Sequence, residues 1–135
     1  MTSIKTEHYE IIIVGDLARL RFYGGKIIDI PQAKAYSNFI EEHTKDTPFA
    51  SISFAESGAN WTRDARKYLG SRTPNQYAAA MVSDSPVLKI IANFFIKLNK
   101  PQYPTKFFNT IPEAEAWVEE MKAKFYQEST STKLA

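Results

Sequence analysis

The feature that most constrains the fold is a hydrophobic period that switches repeatedly between two residues and about 3.6 residues along the chain. Residues 8–14 are rich in β-branched side chains, and Ala18, Leu20 and Phe22 alternate with polar or aromatic neighbours. Both patterns predict strands. The Gly15-Asp16 pair between them is a turn signal, so the chain is expected to open with a β-hairpin.

After this hairpin, helix-like and strand-like segments alternate. Strands are expected at 49–54, 77–82 and 105–108, and the intervening segments carry apolar residues at helical spacing. The four predicted helices begin at capping signals, which are Asp29 with Gln32, Thr62, Ser85 with Pro86, and Thr110 with Glu113. The element order β-β-α-β-α-β-α-β-α predicts one α/β domain, with a mixed, mostly parallel sheet of about five strands and four helices.

Composition limits the protein classes that fit. The chain has 135 residues, of which 44% are hydrophobic and 24% charged, as expected for one globular domain. We expect an ordered core over about 8–126 and a frayed tail over 127–135. The absence of cysteine excludes thiol chemistry and disulfides. Neither a secretory signal nor an apolar run of about 18 residues is visible, so a cytoplasmic location is expected.

Charge is distributed unevenly. The net charge is +2, but residues 61–110 contain 8 Lys/Arg against 2 Asp/Glu, a local excess of +6. Such a segment can bind an anionic partner, or it can simply be a solvated surface balanced by acidic neighbours. Because most nearby aromatic residues occupy core positions by period, nucleic acid is not the expected partner.

Three stretches carry a resemblance to a known family. A strand that ends in an acidic residue, at Glu56, precedes the helix 62–69; a Ser-Pro junction lies within 80–89; and the segment 93–107 is similar to small uncharacterised bacterial proteins. Together they resemble the STAS domain, the SpoIIAA-like fold of bacterial anti-sigma-factor antagonists, over about Tyr9 to Phe125. The resemblance implies a non-catalytic regulatory or protein-interaction module.

The resemblance also implies a region for a phosphorylation switch. Partner-switching members carry a Ser or Thr two residues after the acidic residue, where this chain has Gly58. The candidates are therefore Ser57 and Thr62, with Arg63 and Arg66 to hold a phosphate near a helix start. An ordinary loop serine at Ser57 and an ordinary N-cap at Thr62 explain the same residues.

Catalytic and metal-binding motifs are missing from the sequence. His8 and His43 have no partner at metal-ligand spacing, and neighbouring glutamates on a helix point about 100° apart. The Gly24-Gly25 pair matches neither nucleotide-binding glycine pattern. We therefore expect no enzyme activity, no cofactor and no metal.

The helix 87–98 is more apolar than a surface helix needs to be. Lys89, Asn93 and Lys97 form one narrow polar stripe, and the nine other positions are apolar over about 240°. This excess of apolar surface could be covered by other parts of the chain, by a second chain or by an apolar ligand. We expect an interface or ligand face at Leu88, Phe95 and Ile96, with Tyr103 in the following loop. The expected partner is a second copy or another protein, and the alternative is a carrier or sensor of a small apolar or lipid-like ligand.

Overall fold

The structure is a computed structural model that describes residues 1–72, 74–99 and 101–134, without the side chains of residues 95, 98, 99 and 129–134. The strands are β1 (Thr2–Lys5), β2 (Tyr9–Val14), β3 (Leu17–Phe22), β4 (Ile27–Ile28), β5 (Phe49–Ala55), β6 (Asn60–Trp61), β7 (Gln76–Ser83) and β8 (Thr105–Phe108). The helices are α1 (Ile30–His43), α2 (Arg63–Gly70), α3 (Pro86–Asn99) and α4 (Ile111–Leu134).

Six strands form one sheet in the order β1-β2-β3-β5-β7-β8. The first three are antiparallel neighbours, and β3, β5, β7 and β8 run parallel. The predicted hairpin and the mostly parallel sheet are confirmed, with one strand more than expected. The sequence signal of β1 is weak because this short edge strand has a single apolar residue, Ile4, which pairs with Ile11.

A separate two-stranded sheet was also missed. The parallel pair β4 and β6 has two residues in each strand, which is too short to show a period. It joins the segments that lead into α1 and α2, and so brings the starts of these helices together.

The main sheet is covered on both faces. One buried cluster joins β2 and β3 to α1 and α2, and includes Ile11, Phe22 and Tyr36. The other joins β5 and β7 to α4, and includes Ile52 and Val118. These clusters lie on opposite faces, because successive side chains of a strand point to opposite sides and Arg19, between the buried residues of β3, contacts Glu115 of α4.

The helix starts follow the predicted caps. Asp29 and Gln32 form a capping box, the Thr62 hydroxyl accepts from the Ala65 N–H, and the Ser85 hydroxyl accepts from the Leu88 N–H. At the start of α4, the Thr110 hydroxyl accepts from the Glu113 N–H and donates to the Glu113 carboxylate. Helix α4 continues to Leu134, beyond the end of the core that we predicted, and the fraying of the last residues stays a prediction.

Candidate functional site

The loop that follows β5 is built around the carboxylate of Glu56. One carboxylate oxygen accepts from the Gly24 N–H at 2.9 Å, and the other accepts from Arg21 Nε and Nη2 at 2.9 and 2.8 Å. The Gly24 N–H and, after it, the Arg21 guanidinium hold the pKa of Glu56 below its ordinary value. Glu56 therefore joins the carboxyl ends of β3 and β5.

Glycine is required where these two loops touch. A Cβ on Gly24 would lie 2.5 Å from the Ser57 carbonyl oxygen. Gly58 has a φ of +90°, and a Cβ there would lie 3.1 Å from the Gly25 backbone nitrogen. Because a side chain would meet backbone rather than a flexible group, the close approach depends on glycine.

The electrostatic role of Glu56 predicts a pH effect on stability. A carboxyl with a lowered folded pKa stabilises the fold fully above its unfolded value, here 4.5, and this contribution is lost as the pH falls through the folded value. We expect Glu56→Gln to lower the free energy of unfolding at neutral pH and to have little effect once the pH is below the folded pKa of Glu56. Denaturant unfolding as a function of pH measures this difference.

The control is Glu42→Gln, at an exposed position near the end of α1. It should leave the pH profile of the wild type in place. A Glu56→Gln protein with the wild-type profile would contradict the electrostatic role of this carboxylate.

Thr62 and Asp29 connect the starts of α2 and α1. The Thr62 hydroxyl donates to Asp29 Oδ1 at 2.8 Å while it accepts from the Ala65 N–H at 3.1 Å. The capping role of Thr62 is therefore confirmed. A phosphate on this oxygen would lose the bond to Asp29 and would face a carboxylate, so the geometry favours the cap over the phosphosite.

The other residues of the predicted switch region are not brought together. Ser57 and Arg63 are exposed, and Arg66 is half-buried. Within the described residues, no side-chain hydrogen bond or ion pair joins Ser57 or Thr62 to either arginine, and the Arg66 N–H donates to the Thr62 carbonyl oxygen as part of the first helical turn. Ser57 stays a candidate for phosphorylation because its side chain is exposed, in the loop whose backbone contacts Gly24.

The most unusual surface lies on α3. Its exposed apolar face, which we call the α3 face, consists of Val87, Ile90, Ile91 and Phe94, whose exposed fractions are 64%, 70%, 42% and 64%. No other helix exposes so many large apolar side chains among the described residues. Contiguous apolar patches on a soluble protein commonly mark contact surfaces.

The residues that we predicted for this surface are not those that define the α3 face. Leu88 and Ile96 are half-buried, Tyr103 is half-buried in the loop before β8, and the side chain of Phe95 lies outside the described residues. Their role in an interface stays a prediction. In the polar stripe, Lys89 contacts Asn109 after β8.

A better signal was present in the sequence. Ala92 is the small residue of α3 and is half-buried with Leu88 and Ile96. A small side chain permits close packing on a sheet, so Ala92 indicates the inward side of the helix. On a wheel of 100° per residue, Phe94 then lies about 160° away from Ala92, on the outward side.

Helix α3 also packs loosely. It lies against β7 and β8, yet none of its side chains described at 86–94, 96 and 97 is fully buried. The sheet face toward α3 carries a row of three half-buried residues that are adjacent in register. They are Ser53 on β5, Met81 on β7 and Phe107 on β8. Helices usually cover central parallel strands completely, so this row is an incompletely covered part of the sheet.

Two open clefts lie along helices α1 and α2. An open cleft of about 470 Å³ lies at the end of α1 and includes Glu41, Glu42 and Lys45, and one of about 320 Å³ lies beside Tyr68 of α2. Over the described part of the chain, no group of three metal-ligating side chains occurs. Burial raises the pKa of Tyr36, Tyr77 and Tyr103, so these phenols stay protonated.

A family profile, the domain of unknown function DUF7793, matches residues 11–122. The chain belongs to the DUF7793 family. The match includes most of both buried clusters and all of α3, so the DUF7793 domain includes the loop of Glu56 and the α3 face. A comparison with curated proteins found no significant match.

Solved structures extend the comparison to the fold. An uncharacterized protein of the DUF3478 family with a SpoIIAA-like fold, from Shewanella loihica PV-4, aligns with a TM-score of 0.60 at 12% identity. The alignment covers 87% of this chain and 98% of that protein. The SpoIIAA-like fold that we predicted for this DUF7793 domain is thereby confirmed.

A second structure is a protein of unknown function from Arthrobacter sp. FB24. It matches with a TM-score of 0.30 at 22% identity, over 81% of this chain and 97% of that one. This similarity is too low to support the fold.

In the described part of the DUF7793 domain, no helix has the length and hydrophobicity needed to cross a membrane.

Proposed function

We propose that the protein is a non-catalytic interaction module and that the α3 face is its contact surface. The exposure of Val87, Ile90, Ile91 and Phe94 on a single helix is the observation that carries the proposal. Full burial of a side chain of this kind contributes about 1.5–3 kcal/mol. A partner that covers even part of the face therefore gains several kcal/mol that the isolated chain does not realise.

The chemistry of the remaining surface supports binding rather than catalysis. Glu56 is engaged by Gly24 and Arg21, and the Thr62 hydroxyl is engaged by Asp29 and Ala65. Neither group is left as a base or a nucleophile with a neighbouring activator. Regulation would act at Ser57, the accessible hydroxyl of the loop that contacts Gly24.

Photo-crosslinking in growing cells tests this proposal. A photoreactive residue at position 94 is expected to give a discrete crosslinked product, whereas one at position 124, on exposed Lys124 of α4, is expected to give little. The crosslinked product from position 94 should be lost when Ile90→Asn is added, because this change makes the neighbouring part of the α3 face polar. Equal yields at positions 94 and 124 would contradict the proposal.

One observation favours a second function, a carrier or sensor of a small apolar or lipid-like ligand. The half-buried row Ser53, Met81 and Phe107 lies on three adjacent strands near a loosely packed helix. An apolar molecule inserted beneath α3 would complete the cover of the sheet. Native mass spectrometry of freshly purified protein should then detect a bound mass, and ligand-free protein from every preparation would contradict this function.

A further inference from the structure

We infer that the occupant of the α3 face is the surface of an anionic phospholipid membrane, on which the helix lies without crossing it. The inference rests on the proposed function, because it names the partner of the same surface. It depends on the arrangement of the exposed side chains, on the charge around them and on the area that they offer.

The exposed side chains form a stripe parallel to the helix axis. Val87, Ile90, Ile91 and Phe94 are spaced at i, i+3, i+4 and i+7, and span about 100° on a wheel of 100° per residue. Such a stripe along the outer side of a helix can enter the boundary between headgroups and acyl chains while the helix lies in the membrane plane. A groove is not needed for this contact.

Helix α3 itself carries charge of a single sign. Its charged residues are Lys89 and Lys97, and the exposed Asp84 lies two positions before its first residue. On the wheel, Lys97 is about 20° from Ile90, at the border of the stripe. A lysine beside an apolar stripe attracts anionic headgroups, and α3 itself carries no carboxylate that opposes it.

The area of the α3 face disfavours a second copy as the occupant. The four partly exposed side chains offer roughly 400 Å² per chain, against about 800 Å² per partner in a standard stable interface. The homodimer that we predicted from the sequence would therefore need additional contacts.

Vesicle flotation with the purified chain tests the inference. We expect binding to vesicles of equal parts phosphatidylcholine and phosphatidylglycerol, and at least about tenfold weaker binding to phosphatidylcholine alone. Phe94→Glu should reduce binding to the anionic vesicles at least about tenfold. Val14→Glu is the matched control, because it changes an apolar side chain of similar exposure, 57%, at the tip of the hairpin.

A second pair of variants tests the charge contribution. Lys97→Glu should weaken binding to the anionic vesicles by about fivefold or more, and added salt should weaken binding of the wild type. Lys45→Glu, an equal change of charge at an exposed position after α1, should have a much smaller effect. Circular dichroism and thermal unfolding of each variant establish that it is folded, and Ile90→Glu replaces Phe94→Glu if the latter is not.

Two results would overturn the inference. One is the absence of binding to the anionic vesicles, and the other is equal binding by the wild type and the folded Phe94→Glu protein. A dimer in light scattering that Phe94→Glu dissociates, together with no vesicle binding, would identify a second copy as the occupant. In that case the membrane inference fails, while the proposed contact surface on α3 stands.

Discussion

Truncation of Phe22 to alanine is expected to lower the free energy of unfolding by about 3–5 kcal/mol, the cost of removing a buried aromatic ring. The Phe22 ring centroid lies 4.8 Å from that of Trp61 and 5.3 Å from that of Tyr36. It therefore connects β3 to β6 and to α1. Because domains are stable by only about 5–15 kcal/mol, this variant should be near the limit of folding.

Urea or thermal unfolding measures the loss. Phe22→Leu, which keeps most of the apolar volume, should cost much less, and the exposed Phe94→Ala should change stability little. Equal losses for Phe22→Ala and Phe94→Ala would show that the aromatic cluster is not the core of this half of the sheet.

Gly24→Ala is expected to lower the free energy of unfolding by about 1–3 kcal/mol, in the range of other overpacked sites. The added Cβ would lie 2.5 Å from the Ser57 carbonyl oxygen, so one of the two loops must move. Movement of the Gly24 loop would also lengthen the hydrogen bond from Gly24 to Glu56. We therefore expect this variant to lose the part of the pH dependence that Glu56 contributes.

Gly25→Ala is the informative comparison. Gly25 has a φ of +75° with open space around its Cα, so alanine there meets backbone strain of about 1–2 kcal/mol but no clash. It should leave the bond between Glu56 and Gly24 in place. If Gly24→Ala is as stable as the wild type and retains its pH profile, the tight contact between the loops does not exist in solution.

Local patterns along the sequence were sufficient to predict most elements. The capping boxes at Asp29 and Thr110 and the Ser-Pro start of α3 act over three or four residues, and each marks a helix start in the structure. The period of two in β3 placed Leu20 and Phe22 in the core. These signals depend only on residues that are close together in the sequence, so they can be recognised without knowledge of the structure.

Contacts between distant segments could not be predicted in the same way. The bond between Glu56 and Gly24 joins residues 32 positions apart, and it forms because parallel strands β3 and β5 end at the same edge of the sheet. The edge strand β1 and the pair β4 and β6 depend on partners rather than on their own composition. The exposed side of α3 likewise depends on how the helix packs against β7 and β8, where Leu88, Ala92 and Ile96 are half-buried.

Cysteine labelling measures directly whether the α3 face is covered in the cell. Because the chain contains no cysteine, Phe94→Cys and the control Lys124→Cys each introduce a single reactive thiol. We expect both thiols to react rapidly with a maleimide in the purified protein. The measured quantity is the labelling rate at position 94 divided by the rate at position 124. In intact cells at native abundance, this ratio should be at least about tenfold lower than in the purified protein. Equal relative rates in cells and in the purified protein would contradict the account.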